Sequence, residues 1–365
     1  MPSTDSSCIL YDFLYCMGGA EKTTLLLQES FNNSCICVDF VNKDEFESLN
    51  KKNIIELGKA GTCQPLNAIK GIRNFKKKTK FLKNCTLGIY SGSYAPCAVH
   101  NQLSGKKILY CHTIPRFAYD LYDYYLNSLS PIAKPLFRML ASYVRKNYEL
   151  AFNQMDLVIA NSENVRQRIR KYLNSEAQVI NPPVETSSFK WISQGDYYLS
   201  TARLEKYKRV DLIVSAFKKM PDKKLIVTSG GAELNNLKKL AGNAENIHFT
   251  GWVSYPELIA LTGNSIATIY IPRDEDFGIS PVESMAAGKP VIGAREGGIL
   301  ETVKHGQTGF LIAPETEEII NAVEKLTPAL ALLLKNNCEE QAKLFDTANF
   351  ISKMKEAVGF KNSNS

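Results

Sequence analysis

Short apolar stretches rich in β-branched residues alternate with helical patterns along the chain, and this alternation is typical of βαβ units and a parallel sheet. In the first half, predicted strands cover residues 34–39, 86–90, 107–111 and 155–160, and an extended segment is predicted at residues 179–184. In the second half, they cover residues 196–200, 224–228, 247–250, 267–271, 290–293 and 309–312. Because the same pattern occurs in both halves, the sequence predicts an α/β fold with two domains of similar kind.

The domain boundaries are predicted from changes in residue composition and in the spacing of apolar residues along the chain. Residues 182–195 contain several prolines and serines, which is typical of a linker. After residue 312 the pattern is helical to the end of the chain. We therefore predict a first domain at residues 1–188, a second domain at residues 189–344 and a final helical segment at residues 345–365.

Length and composition are those of a soluble protein with two domains. With 365 residues the chain is longer than a single hydrophobic core usually supports. Its hydrophobic content of 44% and charged content of 22% are ordinary for a globular protein. No apolar run is long enough for a transmembrane helix, and the first residues lack the features of a signal peptide. The nine cysteines show no paired metal spacing, so we expect reduced thiols and a cytoplasmic location.

The net charge of +7 is concentrated in two basic regions. Residues 75–83 form a dense basic run with aromatic interruptions, and residues 131–152 mix basic with apolar side chains in a helical pattern. Such a helix suits peripheral contact with an anionic membrane surface. The same pattern fits equally well a helix whose basic side chains face solvent and whose apolar side chains pack in the protein core. No recognised nucleic-acid-binding motif accompanies the charge, so nucleic acid is not predicted as a partner.

The segment that begins at Glu275 carries the strongest chemical signal in the chain. Glu275 and Glu283 flank seven residues that include a Phe-Gly turn, and an apolar helix begins at that turn. A helix N-terminus offers unpaired N–H groups and partial positive charge, which favour a phosphate. The two carboxylates would accept hydrogen bonds from sugar hydroxyls, so the segment predicts a nucleotide-sugar site. Taken alone, it also fits an acidic surface loop before an ordinary amphipathic helix.

Two basic residues earlier in the chain are suited to a diphosphate. Arg203 and Lys208 lie between a predicted strand and a predicted helix, which is where open α/β sheets bind their ligands. Arginine offers a planar fork of donors, and lysine offers a point charge. For the neighbouring Lys206 and Arg209 we expect solvent-exposed positions.

Glycines and a histidine follow other predicted strands. Gly297 and Gly298 would let backbone N–H groups approach a ligand closely, although a tight turn explains them as well. His112 directly follows a strand, where a histidine faces the edge of the sheet at which ligands bind, although a lone histidine also fits a structural role. Asp274 and Asp276 have the Asp-x-Asp spacing of metal-dependent transferases. Because this pair overlaps Glu275, we assign it to the same loop and predict no metal site.

These motifs resemble the donor-site motifs of family 4 of the retaining glycosyltransferases, which have the GT-B architecture. The resemblance rests on the E-x7-E segment 275–283, the Arg-x4-Lys pair 203–208 and the Gly-Gly-x-x-Glu loop 297–301, and it extends over residues 197–312. It implies two Rossmann-like domains with parallel sheets that face a central cleft, the first domain for the acceptor and the second for the nucleotide-sugar donor. In this architecture the final helix, within residues 345–365, crosses back to the first domain.

The resemblance also implies roles for individual residues. Arg203 and Lys208 would hold the donor pyrophosphate and stabilise the departing nucleotide, so neither a metal ion nor another cofactor is predicted. Glu275 and His112 would hold the transferred sugar, and together with Arg203 and Lys208 they form the predicted catalytic group. Glu283 would hold the ribose. The remaining predicted donor-binding residues are Gly18, Gly19, Phe277, Gly278, Ile279, Ser280, Gly297 and Gly298.

The predicted function follows from the same likeness. Residues 203–212 and 110–117 resemble a bacterial branch of mannosyltransferases for O-antigen or capsule. This favours transfer of mannose from GDP-mannose to a polyprenyl-linked oligosaccharide or another glycan, in lipopolysaccharide synthesis at the inner face of the cell membrane. A UDP-sugar donor is the alternative, because the motifs recognise diphosphate and ribose rather than the base. A nucleotide-sugar epimerase of the same fold is a further alternative, with His112 as its candidate acid or base.

Overall fold

The structure is a computed structural model, and it describes residues 7–31, 34–46, 53–59, 61 and 64–359. These residues form two compact units. Unit 1 contains the chain up to Ile180 and again from Ile351, whereas unit 2 contains Asn181–Phe350. The chain thus passes from one unit to the other after residues 180 and 350, whereas the sequence analysis predicted these boundaries after residues 188 and 344. Part of the predicted final segment, residues 360–365, lies outside the described residues.

Parallel strands form the sheet of unit 1. They are β1 (Ser7–Tyr11), β2 (Cys35–Val38), β3 (Ile54–Glu56), β4 (Leu87–Tyr90), β5 (Lys106–Cys111), β6 (Leu157–Ala160) and β7 (Gln178–Val179). Their order across the sheet is β3-β2-β1-β4-β5-β6-β7. All residues of β2 and β4 are buried, as is usual in a parallel sheet.

The helices of unit 1 connect these strands. They are α1 (Gly19–Ser30), α2 (Gln64–Lys78), α3 (Tyr122–Ser128), α4 (Lys134–Phe152) and α5 (Glu163–Leu173). Helix α4 packs against α2 through one face, which buries Ala141, Val144 and Tyr148. Its opposite face carries the basic and apolar side chains that the sequence analysis singled out.

The strand predictions for unit 1 were confirmed for β2, β4, β5 and β6. Two strands were missed, β1 and β3. β1 is a short apolar run that alternation cannot identify, because a strand buried on both faces has no polar face. The extended segment predicted at residues 179–184 begins with the last residue of β7, and the strand does not continue through it, because prolines have no N–H to donate to a neighbouring strand.

The sheet of unit 2 is also parallel. Its strands are β8 (Tyr197–Ser200), β9 (Lys224–Thr228), β10 (Ile247–Gly251), β11 (Ala267–Tyr270), β12 (Val291–Ala294) and β13 (Gly309–Ile312). Their order is β10-β9-β8-β11-β12-β13. The predicted strands of this half were therefore all confirmed, with bounds that agree to within about one residue.

The helices of unit 2 pack in two separate groups. They are α6 (Val210–Lys218), α7 (Leu234–Ala241), α8 (Tyr255–Gly263), α9 (Ile279–Ala286), α10 (Ile299–Thr302), α11 (Thr316–Lys325) and α12 (Pro328–Lys343). Helix α6 packs against α7 and α11, whereas α9 packs against α12. The last helix, α13 (Thr347–Val358), begins in unit 2 and ends in unit 1. At its end, Lys106 Nζ of β5 donates hydrogen bonds to the carbonyls of Ala357 and Val358.

Each sheet reverses its strand order once. In unit 1 the reversal lies between β1 and β4, and in unit 2 it lies between β8 and β11. At such a point the loops that follow the two strands run to opposite sides, and open α/β sheets bind ligands there. The loops after these four strands are therefore the first places to look for a site.

A buried carboxylate occupies the reversal point of unit 1. Asp12 directly follows β1 and accepts backbone N–H bonds from Ser93, Tyr94 and Ala95 at 2.7, 2.8 and 2.8 Å, in the segment that follows β4. Burial raises the pKa of Asp12 to about 6, against the opposing effect of these three donors. Gly92 has φ 95°, and a Cβ there would lie 2.5 Å from the Asp12 carboxyl group. The aspartate therefore fixes this loop closely.

Two further properties concern the helices and the cysteines of the described residues. No helix in the described ranges is both long and apolar enough to span a bilayer. The eight cysteines that fall within those ranges are free thiols, and seven of them are buried.

The substitution Asp12→Asn is expected to lower the free energy of unfolding by about 1–3 kcal/mol, because an NH2 group would replace an acceptor that faces buried N–H groups. Urea unfolding at pH 7.5 would measure the loss. The matched control is Asp156→Asn, since Asp156 accepts the N–H of Lys107 at 2.8 Å on the exposed surface. Water can replace that bond, so an equal loss in both variants would contradict the role assigned to Asp12.

Candidate functional site

An ion pair joins the two loops at the reversal point of unit 2. Lys208 lies in a 3-10 turn after β8, and Glu275 lies in the loop after β11. Lys208 Nζ is 2.5 Å from Glu275 Oε2, and the two side chains are only 12% and 19% exposed. Lys208 Nζ also donates to the Tyr270 hydroxyl at 3.3 Å. Two predicted catalytic residues, 67 positions apart in the chain, are thus brought into direct contact.

The surroundings keep Lys208 charged. Burial opposes the charge, but the neighbouring Tyr270 hydroxyl, the Glu275 carboxylate and the hydrogen bond to Glu275 outweigh it, so the pKa of Lys208 lies above its ordinary value. Burial and the Glu275 carboxylate also raise the pKa of Tyr270, which therefore keeps its proton at neutral pH. A fixed positive charge with little exposure is suited to a phosphate group.

The N-terminus of α9 follows directly in the chain. Gly278 precedes the helix at φ 94°, which is a backbone conformation that residues with a Cβ rarely adopt. Ile279 and Ser280 form the first turn, whose N–H groups have no acceptor within the helix itself. Phe277 is only 2% exposed, and its ring packs edge-on against Phe345. The predicted donor contact of Phe277 is therefore limited to its backbone.

The Gly-Gly loop lies against the loop that contains Glu275. A Cβ on Gly297 would lie 2.7 Å from the backbone N and O of Glu275, and a Cβ on Gly298 would lie 2.4 Å from the carbonyl of Asp276. Gly298 also donates its N–H to the carbonyl of Glu275 at 2.7 Å. The N–H of Gly298 is therefore used within the protein, and the donor contact of the two glycines stays a prediction. These glycines allow close packing between two loops.

The remaining predicted donor residues of unit 2 lie on the same loops. Arg203 follows β8 and has an exposed side chain, whereas Glu283 is half-buried one turn into α9. The prediction that Lys206 is exposed was confirmed. The same prediction for Arg209 was wrong, because its side chain is 16% exposed and its Nη1 is 2.8 Å from Glu296 Oε1. No sequence pattern links residues that lie so far apart in the chain.

Unit 1 brings its own predicted residues close together. His112 follows β5, and its ring meets the ring of Tyr11 edge-on at 6.3 Å between centroids. The Tyr11 hydroxyl donates to Glu21 Oε1 at 3.2 Å. Glu21 in turn lies beside Gly18, where a Cβ would be 2.8 Å from its Oε2, and Gly19 begins α1. Tyr11 and Glu21, which the sequence analysis did not select, therefore connect the histidine with the glycine loop.

The described residues include no group of three or more His, Cys, Asp or Glu side chains that could hold a metal ion. Asp274 and Asp276 lie in the loop with Glu275, as the prediction assigned them. The loop contacts the Gly-Gly segment through its backbone, as described above.

The part of the chain that contains this site is similar to known proteins. Residues 185–344 match the family described as glycosyl transferases group 1. The alpha-1,3/1,6-mannosyltransferase of Dictyostelium discoideum is 27% identical over 271 residues, which are 61% of this chain and 62% of that protein. The human alpha-1,3/1,6-mannosyltransferase is 27% identical over 256 residues, or 60% of this chain and 59% of that protein. The chain thus spans about three-fifths of the length of these curated relatives.

Solved structures with low sequence identity share the fold of the whole chain. The sucrose-phosphate synthase of Thermosynechococcus elongatus has a TM-score of 0.79 at 17% identity, with 97% of this chain and 98% of that chain covered. Anabaena HepE in complex with UDP and glucose has a TM-score of 0.76 at 16% identity, with coverage of 97% and 99%. The chain therefore has the GT-B fold, as the resemblance predicted, and its residues 185–344 are similar to the group 1 glycosyl transferases.

Proposed function

We propose that the chain is a retaining glycosyltransferase that moves a sugar from a nucleoside-diphosphate donor to a glycan acceptor. The observation that carries the proposal is the Lys208–Glu275 pair at the strand reversal of unit 2, beside the N-terminus of α9. A cation, a carboxylate and the N–H groups of a first helical turn lie on adjacent loops there. Phosphate and sugar hydroxyls are the ligand groups that such a set recognises.

The proposed reaction needs stabilisation of the leaving group more than a dedicated base. The bond from the anomeric carbon to the β-phosphate oxygen breaks, the acceptor oxygen bonds to that carbon on the same face, and the acceptor proton passes to the departing phosphate. Lys208, Arg203 and the N–H groups of the first turn of α9 would stabilise the negative charge that develops on this phosphate. No metal ion is part of the proposal.

The other predicted residues keep their proposed roles in holding the donor. Glu275 would accept hydrogen bonds from the transferred sugar, and Glu283 from the ribose. In unit 1, His112 and the loop of Gly18 and Gly19 would contact the transferred sugar. Tyr11 supports this assignment for unit 1, because it connects the histidine with that loop.

Mannose from GDP-mannose is the proposed donor substrate. The mannosyltransferases of Dictyostelium discoideum and of human, each 27% identical over their matched residues, support this choice. A UDP-sugar is the second candidate, since Lys208, Arg203 and the turn of α9 recognise phosphate rather than the base. An epimerase is a weaker third candidate. It would need both an acid and a base at the sugar, and His112 is a single group. The setting in O-antigen or lipopolysaccharide synthesis stays a prediction.

GDP is expected to stabilise the protein selectively when GDP, UDP and ADP are compared at equal concentration in thermal unfolding. A nucleotide present at about 100 times its dissociation constant adds about 2.7 kcal/mol to the free energy of unfolding. Selective stabilisation by UDP would replace the mannose donor by a UDP-sugar. No shift with any of the three nucleotides would contradict the donor site. The variant Glu283→Ala is the control, since it should weaken the shift without loss of the fold.

The substitution Lys208→Ala is expected to lower kcat by about 10²–10³-fold, because one group that stabilises the leaving phosphate is removed. The matched control is Lys206→Ala, which removes an exposed lysine two residues away and should leave kcat unchanged. Circular dichroism and thermal unfolding would show that Lys208→Ala remains folded. Equal turnover in the two variants would contradict the role of Lys208.

The proposed acceptor is a glycan carried on a lipid, and unit 1 has a surface suited to a membrane. Ile132, Leu136 and Met139 are 91%, 64% and 71% exposed, and their spacing of four and three residues places them along one face of α4 and the turn before it. Residues 124–148 contain basic but no acidic residues. An apolar row beside an excess of positive charge suits the headgroup region of an anionic bilayer. We therefore propose peripheral binding of α4 at the inner face of the cell membrane.

The triple variant Ile132→Ser, Leu136→Ser, Met139→Ser is expected to lose binding to vesicles of phosphatidylcholine and phosphatidylglycerol by at least about tenfold, since three exposed apolar side chains are removed. Co-sedimentation would measure the loss, and added salt should weaken the binding of the unmodified chain. The matched control is Leu332→Ser, Leu333→Ser on α12, whose side chains are 50% and 78% exposed. Equal binding by both variants would contradict the proposed surface.

A further inference from the structure

One carboxylate joins the loops on both sides of the Lys208–Glu275 pair. Glu296 follows β12, and its Oε1 is 2.8 Å from Arg209 Nη1 and accepts the backbone N–H of Asp274 at 2.9 Å. Arg209 directly follows Lys208 in the chain, and Asp274 directly precedes Glu275. Each member of the ion pair therefore has a neighbour that is held by the same oxygen atom.

Both residues held by Glu296 have an unusual backbone conformation. Arg209 has φ 55° and Asp274 has φ 44°, which lie in the left-handed region that glycine favours. A residue with a Cβ is strained in this region and stays there only where its surroundings hold it. The two turns therefore need contacts that keep them in place, and the Glu296 side chain contacts both.

The burial and the nearby backbone agree with such a role. The Arg209 and Glu296 side chains are 16% and 33% exposed, so their charges are less screened by water than those of a surface pair. Next to them, the N–H of Arg273 donates to the carbonyl of Tyr207 at 2.8 Å, which holds the same two loops together through the backbone. The loops after β8 and β11 are thus joined at three points, which involve residues 207–209 of one loop and residues 273–275 of the other.

We propose that Glu296 is a positioning residue, which holds the turns at Arg209 and Asp274 and so orients Lys208 and Glu275 for the donor. The inference rests on the proposed function in one respect, since the effect on turnover requires that Lys208 and Glu275 contact the donor. The effect on the two loops does not depend on that function. Experiments on the loops and on the reaction can therefore fail separately.

The first test is Glu296→Gln, which keeps the size of the side chain and removes its charge. It is expected to raise hydrogen–deuterium exchange in residues 203–209 and 272–278 and to lower kcat/KM for the donor by about ten- to a hundredfold, as displaced supporting groups commonly do. The matched control is Glu317→Gln, which removes the acidic partner of Lys219 in an exposed pair of unit 2 at 2.6 Å. This control should change neither the exchange nor the kinetics.

The second test is rescue by glycine. In the Glu296→Gln background, Arg209→Gly should restore kcat/KM to within about threefold of the unmodified chain, because glycine adopts the left-handed turn without a partner. Arg209→Ala in the same background removes the same guanidinium but keeps a Cβ, so it should not restore kcat/KM. A purely electrostatic role for the pair would make these two double variants equal.

The outcomes separate the inference from the proposed function. Unchanged exchange in both loops after Glu296→Gln would overturn the positioning role. Increased exchange with unchanged donor kinetics would support the role of Glu296 in holding the loops. It would overturn the proposed function of Lys208 and Glu275. If Glu296→Gln does not fold alone, the glycine and alanine double variants are compared with each other, and equal donor kinetics or equal loop exchange would overturn the inference.

Discussion

Two parallel sheets reverse their strand order once each, and at each reversal a side chain connects loops that would otherwise diverge. In unit 1 the Asp12 carboxylate accepts three N–H groups of the segment after β4. In unit 2 Lys208 pairs with Glu275 across the same kind of gap. The oxygens of the Asp12 carboxylate accept hydrogen bonds from backbone N–H groups of unit 1 itself. The pair of unit 2 presents one cation and one anion, which are groups that can also bind a ligand.

Close contact between loops explains why several small residues occur around that pair. The Gly-Gly segment meets the loop of Glu275 so closely that a Cβ on Gly297 or Gly298 would collide with its backbone. The segment 296–298 thus holds the loop of Glu275 through the Glu296 side chain and through close contacts of its two glycines. Rigid loops of this kind place charges accurately before a ligand arrives, which is what electrostatic stabilisation of a leaving group requires.

Much of unit 2 was predictable from local pattern, and parts of unit 1 were not. The strands β8 to β13 were recognised because each is an apolar run bounded by turn residues. β1 and β3 were missed because they are short and lack alternation, so that only their neighbours in the sheet define them. The motif residues Arg203, Lys208, Glu275 and Glu283 were likewise recognised by type and spacing. Arg209 was misjudged as exposed, since its partner Glu296 is distant in the chain.

The sequence by itself determined the alternation of strands and helices, the order of the motifs, and the chemical nature of the groups at the candidate site. These depend on residue type, period and short-range spacing, which a single chain displays directly. Tertiary structure alone decided which of these groups meet. The contact of Lys208 with Glu275, the hold of Glu296 on two strained turns, and the use of the Gly298 N–H within the protein all join residues far apart in the chain. Such contacts arise because the strand order brings separate loops to one edge of a sheet, and no local pattern encodes that order.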